Sequence, residues 1–125
     1  MVTQQKEGEE RMTLTSGSVL VIAEAGVNHN GQLDLALSLC DAALASGADA
    51  VKFQTFKAKD LAIRGAPTAE YQARQTGDAD QFEMLQRLEL SEDHYTRIKQ
   101  HCDRIGIEFF STPFSTNAVD MLLRL

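Results

Sequence analysis

The chain of 125 residues contains no GxxxxGK[ST] and no GxGxxG. It therefore lacks both glycine-rich loops that commonly hold nucleotide phosphates on backbone amides. CxxC and HExxH are absent too, which removes two common zinc and redox signatures. Cysteine is scarce: Cys40 and Cys102 fall on separate predicted helices, without metal-ligand spacing. Both read as small apolar residues of a reduced, intracellular protein. No run approaches the about 20 apolar residues of a membrane span, and the N-terminus has no apolar signal-peptide core. The expectation is a cytoplasmic chain without a membrane partner. Positive charge is in deficit, with 12 Lys and Arg against 18 Asp and Glu and a net charge of −6. That argues against nucleic-acid binding and leaves room for a local basic pocket that takes an anion.

What the chain does have is strand-like and helix-like segments in alternation. Met1 to Gly17 is polar, mixed in charge and without apolar period, so it reads as a flexible tail (1–17) ahead of a folded region (18–125). Val19 to Ala23 is a short β-branched run, the pattern of a parallel strand buried on both faces. Glu24 follows it, then the polar turn Asn28-His29-Asn30-Gly31. Gln32 to Ser46 predicts a helix with Leu33, Leu37, Cys40 and Leu44 on one face and Gly47 ending it. Ala48 to Thr55 predicts a second strand, with Val51 and Phe53 on one face and Lys52 and Gln54 on the other.

Phe56 to Ala79 is irregular and long for a connection. Asp80 to Leu88 fits a short helix, and Ser91 to Arg104 a longer one capped by Ser91, with Tyr95, Ile98, Cys102 and Ile105 as its packing stripe. His94 and His101 fall on its expected wet side. Ile107 to Ser111 predicts the third strand, and Ser115 caps a helix from Thr116 onward.

This order predicts an α/β fold with parallel strands and right-handed crossovers. Three strands cover three amphipathic helices poorly. The expectation is the first three βα units of a (β/α)8 TIM barrel, truncated at Leu125, whose open sheet edge favours association. In such a barrel Glu24, Lys52, Gln54 and Thr112 lie at the carboxyl ends of successive strands and face one mouth. An acid, a base, an amide and a hydroxyl would converge there. The competing reading is a structural ion pair between Glu24 and Lys52 on neighbouring strands. His29 is equally a loop hydrogen-bonding residue or a catalytic one.

The segments IAEAGVNHNG (22–31), GADAVKFQTF (47–56), AEYQ (69–72), FEMLQRLELS (82–91) and GIEFFSTPF (106–114) resemble, in order and spacing, the N-terminal part of the N-acetylneuraminate (sialic acid) synthase family. The resemblance implies a barrel followed by an antifreeze-protein-like domain, in a homodimer. It implies condensation of phosphoenolpyruvate with an N-acylated amino sugar such as N-acetylmannosamine, releasing phosphate. A divalent metal, manganese or magnesium, would activate the sugar aldehyde as a Lewis acid.

By the same resemblance Glu24 handles a proton or steers water. Lys52 holds phosphoenolpyruvate, Gln54 lies beside the sugar and Thr112 lies near phosphoenolpyruvate. His29 matches a motif histidine, while the family's metal-binding histidines belong to later strands. The expectation is therefore an enzyme fragment, inactive as the isolated chain and without its metal ligands. The alternatives are a synthase for a related nonulosonate, legionaminate or pseudaminate, and a non-catalytic truncated α/β module that binds an anion.

Overall fold

A computed structural model describes residues 17–61 and 80–125. Residues 1–16 of the expected tail, most of the irregular connection and the AEYQ segment lie outside the described residues. Three strands, β1 (Ile22–Gly26), β2 (Ala50–Thr55) and β3 (Glu108–Pro113), form one parallel sheet in chain order, with β2 in the middle. Helix α1 (Leu33–Ala45) connects β1 to β2. Between β2 and β3 come a single turn, α2 (Ala58–Leu61), then α3 (Gln81–Leu88) and α4 (Glu92–Ile105). Helix α5 (Thr116–Leu122) follows β3. This is the layout of consecutive βα units of a (β/α)8 barrel.

Local chemistry sets the helix ends. Asp80 accepts a hydrogen bond from the Phe82 amide at 2.8 Å, Ser91 Oγ from His94 N at 3.1 Å, and Ser115 Oγ from Ala118 N at 3.2 Å, each satisfying an orphan amide of a first turn. Gly106 closes α4 in the left-handed conformation (φ 82°), its amide bonded to Cys102 O at 2.9 Å, a backbone state that glycine adopts without strain.

The core lies between one face of the sheet and the pair α1 and α4. Val51, Phe53, Ala36, Cys40, Ala43, Tyr95, Ile98 and Cys102 are all buried in it. On α1 the buried centre is Ala36, Cys40 and Ala43, and Leu44 at the expected stripe's edge is 39% exposed. Small residues occupy the centre because they let α1 approach α4 closely.

Several boundaries differ from the sequence expectation. β1 begins at Ile22 and runs to Gly26, so Glu24 sits within the strand. Val19 is 84% exposed, and Val21 and Ile22 are exposed as well. The strand is thus not buried on both faces: it is an edge of the described sheet, and only β2 has neighbours on both sides. Its register follows β2, pairing Ile22 with Ala50. β3 extends past Ser111 to Pro113, taking Thr112 into the strand, and α2 occupies part of the segment expected to be irregular. His101 is not on a wet face. Its side chain is only 11% exposed, and its ring nitrogens bond Asp41 Oδ1 of α1 and Arg104 Nη2, each at 2.7 Å.

Candidate functional site

Paired residues of parallel strands project to the same face. Glu24 pairs with Lys52, Lys52 with Phe110, and Gln54 with Thr112. All of these stand on the face opposite the helix-packed Val51 and Phe53. Strand alternation alone therefore brings the expected residues Glu24, Lys52, Gln54 and Thr112 to one side of the sheet, towards the strands' carboxyl ends.

A β-bulge sharpens the arrangement. The register slips between Glu24 and Gly26, so that Gly26, not Ala25, is level with Phe53. Gly26 has φ 54°, and an added Cβ there would meet Glu24 Oε1 at 3.5 Å and Gln54 Nε2 at 3.7 Å. The carboxylate and the amide thus both approach the same glycine. Bulges commonly re-aim a side chain beside a site.

Lys52 Nζ reaches Glu24 Oε2 at 2.8 Å, the structural ion pair that the sequence left open. Its setting weighs against a stabilising role. The side chains are 38% and 50% exposed, and a half-solvated pair contributes at most about 1 kcal/mol. An ion pair that is worth so little to the fold is free to exchange partners with an arriving anion.

His29 goes elsewhere. It is fully buried, and its ring lies 6.1 Å from that of Phe53, in the helix-facing layer. Its Nδ1 accepts the Gly31 amide at 2.9 Å. Burial, with a contribution from His94, lowers its pKa from 6.5 to about 4; desolvation disfavours the imidazolium. His29 therefore stays neutral, holds the turn before α1 and does not join the Glu24 group. Its Nε2, like Nδ1 of His94, is buried without a hydrogen-bond partner.

Tyr95 is the supporting residue that packing periodicity did not distinguish. Its hydroxyl donates to Gln54 O at 2.6 Å, tying α4 to the strand end that carries the amide. Burial raises its phenol to about 12. The available signal was the residue type, since a tyrosine in a core stripe needs a partner for its hydroxyl. A cavity of about 390 Å³ lies elsewhere, among α2, α4 and α5, lined by Lys57, Lys59, Tyr95, Met121 and Arg124 among others. None of Glu24, Lys52, Gln54 or Thr112 lines it.

Among the described residues no group of three or more His, Cys, Asp or Glu is placed to hold a metal ion. Glu24 is engaged by Lys52 and His29 Nδ1 by Gly31, so the described residues do not fit the divalent metal that the resemblance implies. No described helix is long and apolar enough to cross a membrane.

Comparison with known proteins agrees with this layout. The NeuB family profile matches residues 39–125. The chain is 48% identical over 112 residues to N,N'-diacetyllegionaminic acid synthase of Legionella pneumophila, covering 89% of this chain and 32% of that protein. It is 31% identical over 105 residues to human N-acetylneuraminate-9-phosphate synthase, covering 84% of this chain and 29% of that protein. Among solved structures, N-acetylneuraminic acid (sialic acid) synthetase from Leptospira borgpetersenii, in complex with citrate, superposes with a TM-score of 0.67 at 28% identity, covering 89% of this chain and 37% of that one. The chain spans about a third of the length of the relatives it matches.

Proposed function

The chain belongs to the NeuB family, and from that premise we propose that it carries the phosphoenolpyruvate-binding face of a nonulosonate synthase. The reaction joins phosphoenolpyruvate to an N-acylated amino sugar such as N-acetylmannosamine. The methylene carbon of phosphoenolpyruvate bonds to the sugar's aldehyde carbon, whose C=O π electrons pass to its oxygen with a proton to give a hydroxyl, leaving an oxocarbenium-like centre at the phosphate-bearing carbon. Water adds to that centre, and phosphate leaves.

The observation that carries this reading is the convergence of Glu24, Lys52 and Gln54 on the sheet face opposite α1 and α4. Lys52 offers an ammonium to the anionic substrate. The incoming anion takes over Lys52, and the carboxylate of Glu24 is released to accept a proton from the attacking water, or to steer that water. A carboxylate held within hydrogen-bond reach of the reacting water is the geometric requirement for such a base. Gln54 offers an amide to sugar oxygens, its backbone fixed by Tyr95, and Thr112 offers a hydroxyl to phosphoenolpyruvate. The described residues supply no ligand set for a metal, so the roles proposed for them are to bind and orient the substrates and to move a proton.

The test replaces the matched third of the Legionella pneumophila synthase with this chain and measures phosphate release from phosphoenolpyruvate with an acylated amino sugar. A folded, active chimera whose kcat/KM falls about a hundredfold in Lys52→Ala supports the reading. Full activity in Lys52→Ala, with circular dichroism unchanged, overturns it. Varying the sugar in the same assay reads out whether the product is N-acetylneuraminate or a related nonulosonate.

A further inference from the structure

The seam between α1 and α4 holds a pair of thiols that the proposed reaction does not use. Cys40 and Cys102 are both fully buried, and their sulfurs lie 3.5 Å apart. The adjacent residues reinforce the same contact, Asp41 of α1 bonding His101 of α4 at 2.7 Å. The helices are thus held together beside the sulfurs, with the small buried residues Ala36 and Ala43 on the same face of α1. A disulfide needs the sulfurs to close to about 2.05 Å, a short movement from their present contact. Among the described residues they belong to no group of three or more His, Cys, Asp or Glu placed to hold a metal ion.

We propose that Cys40 and Cys102 form a modification site, a dithiol that a peroxide-class oxidant converts into an intramolecular disulfide joining α1 to α4. The two thiols share a contact, and burial disfavours the thiolate of either. When the seam opens, one thiol ionises; its thiolate attacks one peroxide oxygen and the O–O bond breaks, leaving a sulfenic acid and an alkoxide or hydroxide that takes up a proton. The other sulfur then attacks the sulfenic sulfur; the S–O bond breaks and the departing hydroxide leaves as water with the second thiol's proton. Two electrons pass from the two sulfurs to the peroxide. The peroxide enters during local opening of the seam. In a reducing compartment the pair stays a dithiol until peroxide rises. With the second sulfur in contact, the sulfenic acid is resolved before it reaches the irreversible sulfinic stage.

The folded chain is treated with hydrogen peroxide and its intact mass measured without reductant. The expected result is a loss of about 2 Da with no dimer, a peptide map that links Cys40 to Cys102, and a higher urea midpoint that returns on reduction. The cross-link closes 62 residues of sequence separation, and long loops give the larger gains. In Cys40→Ser and in Cys102→Ser the loss of about 2 Da is expected to vanish, and the remaining thiol to stop at a sulfenic acid that dimedone traps. Should either variant fail to fold, alkylation of the oxidised wild-type chain under denaturing conditions decides: no free thiol is expected before reduction. Mass gains of sulfinic or sulfonic acid, a cross-linked dimer, or oxidation only after denaturation overturn the proposal.

Discussion

Val51 and Phe53 are fully buried among the side chains of α1 and α4, whereas Lys52 and Gln54, one residue away on the same strand, are only partly covered. The first pair belongs to the core cluster; the second turns to the face where Glu24 and Thr112 stand. Burial drives the helix-covered face, since apolar area withdrawn from water supplies most of the stability of a domain. The other face holds groups that stabilise little and are available to a ligand. Division of labour within one strand lets chemistry vary on one side while the other keeps the fold.

Breaking the covered face has the largest effect on stability. Phe53→Ala removes a buried ring that touches both His29 and Phe109, and urea unfolding is expected to show a loss of about 3–5 kcal/mol. Acid comes next. The native pKa of His29 is about 4 against an ordinary 6.5, so the unfolded chain binds the proton first. The contribution of neutral, buried His29 is complete above pH 6.5, falls as pH drops towards about 4, and levels off below. The loss reaches up to about 3 kcal/mol. In His29→Gln the urea midpoint is expected to change less over the same window.

Gly31 sharpens the comparison at the joint between the faces. Its φ is 73°, and a Cβ would collide with the Arg87 carbonyl at the end of α3. Gly31→Ala is expected to cost about 2 kcal/mol in the same unfolding experiment. Lys52→Ala is expected to shift stability by no more than about 1 kcal/mol. A large loss of stability there would mean that the open face also carries the fold.

Much of this division was legible in the residue pattern. Alternation in Val51-Lys52-Phe53-Gln54 separated the faces of β2, because strand period is fixed by backbone geometry. The pairing of Glu24 with Lys52 followed from their positions on neighbouring strands. The bulge at Ala25 was not legible, since it depends on how β1 registers against β2. Nor was the start of β1: an apolar run marks a strand, but the extent of pairing is decided by its partner. His101 looked solvated on helical spacing alone, and only the packing of α1 against α4 brings Asp41 to it. Assigning His29 required knowing that the turn folds its ring onto Phe53.

The central claim is that the face of β1, β2 and β3 opposite α1 and α4 takes phosphoenolpyruvate at Lys52. Titration of the isotope-labelled chain with phosphoenolpyruvate, followed residue by residue by NMR, tests it most directly. The account predicts shifts gathered at Glu24, Lys52, Gln54 and Thr112, sparing the buried His29, and abolished in Lys52→Ala. Shifts that persist in Lys52→Ala, or that gather at Lys57, Lys59 and Arg124 around the cavity between the helices, would contradict it.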